Sequence, residues 1–235
     1  MGGFFDTAGG STANNIAVFD GSTWTTLASG TDDAVCALAF LPNGDLIAGG
    51  KFLSASGVSN TEFIARWTSS TLTPTWQSMG NADKCVMALA VAPNGDLIVG
   101  GDFFSIGGQP IPNLASFDGT NYSVIGTTPP DGHGVTVLLF LANGDLVAGG
   151  NFDSVGSVSA VSIARWDGTR PTPPGSPAWH SFGSGLTLGD GRFPIFALAQ
   201  TPAGDVIAGG SFQQAGVHEA NGIALWDGTE PSPPT

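Results

Sequence analysis

Positive charge is what this chain has least of. Lysine and arginine together number six against nineteen aspartates and glutamates, a formal net charge of -13 over 235 residues. Nucleic-acid binding relies on cationic side chains that displace counterions, so that class of function is excluded. An anionic membrane surface is disfavoured for the same reason. No apolar run approaches the roughly 18 residues that span a bilayer, and the N-terminus shows no basic region followed by a hydrophobic stretch, so neither membrane insertion nor a signal peptide is expected. Tyrosine occurs once, at Tyr122. His133, His180 and His218 have no HxxxH or HExxH spacing. Cys36 and Cys85 form no CxxC and lie in apolar runs, which reads as buried free thiols. No metal and no cofactor is expected. Sustained helical periodicity is also missing.

Glycine (36) and proline (16) are abundant, hydrophobic residues reach 41% and charged residues only 11%. That balance is not the signature of disorder; it fits many turns joined to apolar strands. Most of the acids are aspartate, which points to turn chemistry more than to helix faces. The length suffices for one substantial domain, 1–235, without a staple.

One phrase recurs: PNGDLIAGG at 42–50, PNGDLIVGG at 93–101, ANGDLVAGG at 142–150 and PAGDVIAGG at 202–210, with MGGFF opening the chain as a truncated copy. Successive Gly-Gly pairs are separated by 47, 51, 49 and 60 residues, a period that belongs to arrays and propellers. Each period holds four short runs. Run a is VCALAF (35–40), VMALAV (86–91), VTVLLF (135–140) or IFALAQ (195–200). It ends at Asn-Gly-Asp or Ala-Gly-Asp, a two-residue hairpin signal. Run b closes on GGxF, with Phe5, Phe52, Phe103, Phe152 and Phe212 in register. Run c is IAVFDG (16–21) and its relatives, and run d opens on Trp24, Trp76, Tyr122 or Trp179. Short runs bounded by Gly, Asp, Asn and Pro read as strands.

The a runs are apolar on both faces, as expected of sheets covered on both sides. They are small on one face, at Ala37 and Ala39, Ala88 and Ala90, and Ala197 and Ala199; Val137 and Leu139 break the pattern in the third copy. Large aromatics come later in each unit. Small residues near an axis and large ones toward a rim predict an all-β fold, a β-propeller of four-stranded blades with about five repeats. The order of apolar strand, hairpin, strand ending in Gly-Gly, aromatic-Asp step and Trp resembles the Kelch-type repeat, of galactose-oxidase central-domain-like fold, in a divergent branch. The resemblance covers essentially the whole chain. It implies a propeller and no particular activity: a copper site of the galactose-oxidase kind needs Tyr and His ligands, which one tyrosine does not supply.

The repeats run approximately over 1–33 (strands b-c-d), 34–82, 83–132, 133–192 and 193–235 (strands a-b-c), so the first and last blades are expected to be incomplete. Either neighbouring segments of a longer chain complete them, or their open edges pair with another copy or a partner.

Asp45, Asp96, Asp145 and Asp205 occupy the a–b turns, and Asp20, Asp118, Asp167 and Asp227 the c–d turns. Aspartate in turns commonly caps its own backbone. Topology also puts Asp45, Asp96, Asp145 and Asp205 around one mouth of the channel, an acidic ring that suits a cation or basic peptide. Arg66 and Arg165 hold equivalent places before Trp67 and Trp166 and read as strand-surface packing. No catalytic constellation emerges: no serine sits in GxSxG and no glycine run matches a phosphate loop. The b–c and d–a loops vary most, are rich in Ser, Gly and Asn, and lie on the other face, where specificity is usually placed. The expectation is a non-enzymatic scaffold that binds a protein or carbohydrate partner, or other copies of itself, in an extracellular or cell-surface setting. A hydrolase or oxidoreductase site in the variable loops is the alternative.

Overall fold

The computed structural model describes residues 1–69, 73–128, 134–168, 179–187 and 195–228. Among these, every regular element is a strand, and no helix is long and apolar enough to cross a membrane. The sheets are those of a β-propeller. The second blade pairs Val35–Phe40, Leu46–Gly50, Ile64–Thr68 and Thr75–Ser78 in that order, all antiparallel. The third uses Val86–Val91, Leu97–Gly101, Leu114–Phe117 and Tyr122–Val124, and the fourth Val135–Phe140, Leu146–Gly150, Ile163–Trp166 and Trp179–Ser181. The fifth has Ile195–Gln200, Val206–Gly210 and Ile223–Trp226. In the first, Ala17–Phe19 pairs with Trp24–Thr26 and Gly2 bridges Ile16. Among the described residues no strand pairing joins the fifth blade to the first.

The a strands lie side by side from the second blade to the fifth, while Trp76 and Trp179 sit on the outermost strands. Small inner and large outer side chains thus produce the expected wedge. The hydrophobic core is a series of clusters, one between each pair of neighbouring sheets. Phe52, Phe103 and Phe152 are fully buried anchors, each contributing about 1.5–3 kcal/mol by removal from water. Val137 and Leu139, the exceptions on the inner strands, pack into the cluster between the fourth and fifth blades.

In the first four blades the Gly-Gly pairs mark close approaches. A Cβ on Gly100 would lie 2.8 Å from Val135 Cγ1 at the start of the next blade, and one on Gly2 would lie 2.6 Å from Val35 Cγ1. The second glycine presses on its own blade: a Cβ on Gly50 or Gly150 would enter the carbonyl oxygen of Ala34 or Gly134. One residue of the pair admits the neighbour and the other admits the inner strand.

Two expectations are corrected. The a–b link is longer than a two-residue hairpin: the Leu41 N–H donates to the Asp45 carbonyl at 2.9 Å and the Gly44 N–H to the Leu41 carbonyl at 2.9 Å. A tight type I′ turn needs positive φ at both central residues, and of Asn43 and Gly44 only Gly44 (φ 88) has it. The thiols are free but not both buried: Cys36 is exposed and Cys85 half-buried. A register irregularity between Val35 and Ala37 leaves Cys36 unpaired in the ladder and turns it out of the packed face.

Candidate functional site

Both faces of the propeller carry candidate groups. On the a–b and c–d side, the repeated aspartates of the turns are held within their own blades at Asp20, Asp45, Asp96, Asp118, Asp145, Asp167 and Asp205. Asp45 is 1% exposed and accepts from Arg66 Nε at 2.8 Å, with Arg66 Nη2 on the same oxygen, from the Ser69 N–H at 3.2 Å and from Asn43 Nδ2 at 2.9 Å. Burial pushes its carboxyl up, but the guanidinium and these donors outweigh burial and hold it below the usual carboxylate range. Asp145, fully buried, lies 3.5 Å from Arg165 Nη1 and accepts from Asn143 at 3.1 Å. The arginines therefore do more than cover the strand surface. Each reaches from strand c to the a–b turn, because antiparallel pairing sets Arg66 opposite Ile47 and Arg165 opposite Val147, two residues beyond the aspartate.

Asp96 and Asp205 are half-buried. Asp96 accepts from Asn94 Nδ2 at 2.9 Å, and Asp205 from the Thr201 hydroxyl at 3.3 Å. Among the described residues, no three His, Cys, Asp or Glu side chains gather as a metal site. In the c–d turns, Asp20 accepts from the N–H groups of Thr23 and Ser22 and from both hydroxyls, which hold its carboxyl far below the usual range. Asp118 is lowered by the N–H groups of Asn121 and Thr120. Asp167 meets His180 Nε2 at 2.9 Å.

A cleft of about 410 Å³ opens on this side between the third and fourth blades. Its lining includes Asn94, Asp96, Ser116, Asp118, Ser123 and Trp166.

The opposite side carries the variable loops, and these are more ordered than their composition predicts. Several b–c loops fold into tiny hairpins, Thr7–Ala8 with Ser11–Thr12, Ser154–Val155 with Val158–Ser159, and Gln214–Ala215 with His218–Glu219. From the second blade onward the b–c loop is fastened by the d–a segment of the preceding blade. Thr31 bridges Ala55, Ala82 bridges Ile106, and Leu186 pairs with Ala215; the Gly156 N–H donates to the Thr127 carbonyl at 2.8 Å. Asp32 adds a carboxylate clamp, accepting from the N–H groups of Leu53 and Ser54 at 2.8 and 2.9 Å, and Asp83 repeats it with Phe104 and Ser105 at 2.8 and 3.1 Å. A polar groove of about 200 Å³ between the first and second blades is lined by Asn14, Ser29, Asp32, Ser54 and Ser56, among others. The predicted aspartates were those of the turns; Asp32 and Asp83 were not singled out, although both stand 17 residues before a Gly-Gly pair. His133, Arg170, Arg192 and the end of the 183–194 connection lie outside the described residues.

No family model and no curated protein matches the chain. Solved structures with similar coordinates include the extracellular domain of a hybrid two-component system from B. thetaiotaomicron (13% identity, TM-score 0.47, covering 83% of this chain and 22% of that one). A chain of the mitotic checkpoint complex aligns at 18% identity and TM-score 0.41, over 78% of this chain and 48% of that one. A structure reported as a gluconolactonase aligns at 15% identity and TM-score 0.45, over 82% of this chain and 60% of that one. The chain thus spans less than two thirds of the length of each.

Proposed function

We propose that this chain is a non-enzymatic binding module of Kelch-like repeats, acting in an extracellular setting and recognising a protein or carbohydrate through its b–c and d–a face. The observation that carries the reading is the way the variable loops are held. Their sequences differ from blade to blade, yet backbone pairing from the preceding blade fixes the loops of the second to fifth blades, with aspartate clamps added in the second and third. Loops fixed in advance lose little freedom on binding, which is how a rigid scaffold gains affinity. The groove at Asn14, Ser29, Ser54 and Ser56 offers hydroxyl and amide groups of the kind that pair with sugar hydroxyls or a peptide backbone. Further copies of the chain are partners of the same kind at the terminal blades, where Phe19, Phe196 and Ile223 stay exposed.

The test is a glycan array and a random peptide display screen with the 235-residue chain, repeated with loop 53–60 replaced by the 104–111 sequence. The reading expects a ligand whose binding falls at least tenfold on loop exchange while Tm is unchanged. Hydrolase or oxidoreductase turnover that disappears with the same exchange would replace this reading with the enzymatic one.

A further inference from the structure

The blades differ at one position of strand c. Arg66 and Arg165 stand opposite Ile47 and Val147, and at the same register the third blade places Ser116 opposite Ile98. In the fourth blade the arginine fills a defined slot. Its guanidinium lies between the Asp145 carboxylate, at 3.5 Å, and the Trp226 ring of the fifth blade, with Cζ 5.9 Å from the ring centroid. The third blade keeps both walls of that slot and lacks its occupant. Asp96 is the counterpart of Asp145, and Trp166 is the counterpart of Trp226, since the two rings pair with Leu146 and Val206 at the same register. Between them lies the 410 Å³ cleft, with Ser116, Asp118 and Ser123 beside it. Among the described residues no arginine or lysine pairs with Asp96; its side-chain partner is Asn94.

We propose that this cleft binds a guanidinium group from outside the chain: an arginine side chain carried by a protein or peptide partner. The chemistry is that of the neighbouring blade, a carboxylate–guanidinium hydrogen bond on one side and a cation over an aromatic face on the other. The planar fork of arginine suits both walls at once better than the compact ammonium of lysine. Asp118, at the rim, adds negative potential, and the net charge of the chain favours the approach of a cation. The site lies on the a–b and c–d side, so it does not depend on the variable-loop reading.

The probe is N-acetyl-arginine amide, titrated into the ¹⁵N-labelled 235-residue chain, with N-acetyl-citrulline amide as the neutral isostere and N-acetyl-lysine amide as the other cation. The expected result is saturable shifts of the Trp166 indole N–H and the Asp96 and Ser116 amides with the arginine compound, half-maximal in the millimolar range. The lysine compound should bind several-fold more weakly, and citrulline should give no saturable shift. The variant S116R supplies the missing side chain from within, so it should abolish the shifts and raise Tm. D96N, which removes only the charge, should weaken binding about tenfold. Equal response to arginine and citrulline, or undiminished binding by both S116R and D96N, would overturn the proposal. If S116R fails to fold, D96N and the citrulline control decide alone.

Discussion

Replacing Gly100 or Gly209 by alanine is the same chemical change at equivalent points of two repeats, with opposite expected outcomes. Neither residue has positive φ, so alanine meets no backbone penalty, and glycine to alanine at a compatible site stabilises by about 0.4–1 kcal/mol through the unfolded chain. At Gly209 the new methyl finds only Ala197 Cβ, at 3.7 Å, an ordinary contact. At Gly100 it finds Val135 Cγ1 at 2.8 Å, Val135 Cβ at 3.1 Å and the Val135 carbonyl oxygen at 3.4 Å. These belong to the first residue of the next inner strand, which is fully buried and has nowhere to retreat. Overpacking of that kind costs about 1–3 kcal/mol, which leaves Gly100→Ala net destabilising by about 1–2 kcal/mol. With roughly 2–4 °C per kcal/mol at this chain length, thermal unfolding followed by circular dichroism should show Tm falling by about 2–8 °C for Gly100→Ala. Gly209→Ala should raise it by about 1–4 °C. The double variant Gly100→Ala/Val135→Ala should lose less than the sum of its parts, because the clashing methyls are gone. A Gly100→Ala chain as stable as the parent, or equal losses at both glycines, would refute the account of how the blades approach one another.

Three further outcomes follow from particular side chains. Arg66→Ala strands the Asp45 carboxylate and should destabilise by about 1–3 kcal/mol, below the roughly 3–5 kcal/mol of a fully buried pair because the Arg66 side chain is 28% exposed. Since the folded Asp45 carboxyl sits below its ordinary value of 3.8, its contribution is present above about pH 4 and lost as the pH falls through the folded value; acid titration of Arg66→Ala should show a smaller loss over that window than the parent. The Cys85 thiol donates a hydrogen bond that, with Lys51 nearby, outweighs burial and brings Cys36 down to about 7, while Cys85 is pushed up. Alkylation by iodoacetamide should therefore mark Cys36 first, its rate rising with pH to a midpoint near 7; equal labelling of both thiols at pH 7 would contradict this. The Tyr122 hydroxyl is buried without a hydrogen-bond partner and its proton is held by burial, so Tyr122→Phe should be neutral or stabilising by up to about 1 kcal/mol, measured by urea unfolding.

Much of the fold was legible because the repeat states each strand several times. The inner strands occupy 35–40, 86–91, 135–140 and 195–200 as their apolar runs predict, and Trp76 and Trp179 take the rim. What strand pattern does not convey is which side chains meet across strands or blades. Arg66 reads as surface packing until register puts it two residues past Asp45 in the partner strand. The two-residue strands of the loop hairpins are too short for any periodicity, and the clamps of Asp32 and Asp83 reach 21 residues along the chain, beyond a local window. Cys36 misled because its apolar run implies burial, while a ladder irregularity between Val35 and Ala37 leaves that one residue exposed.

The fastening of the loops by the blade before them, from the second blade onward, gives the array a polarity. A sheet lifted out alone would leave its own b–c loop unsupported and would abandon the loop of its successor. Recombination that respects these ties has to cut at the c–d turns, so that Thr31 travels with Ala55 and Ala82 with Ile106. The exchangeable module is then offset from the visible sheet, beginning on the outermost strand of one blade and closing on the third strand of the next.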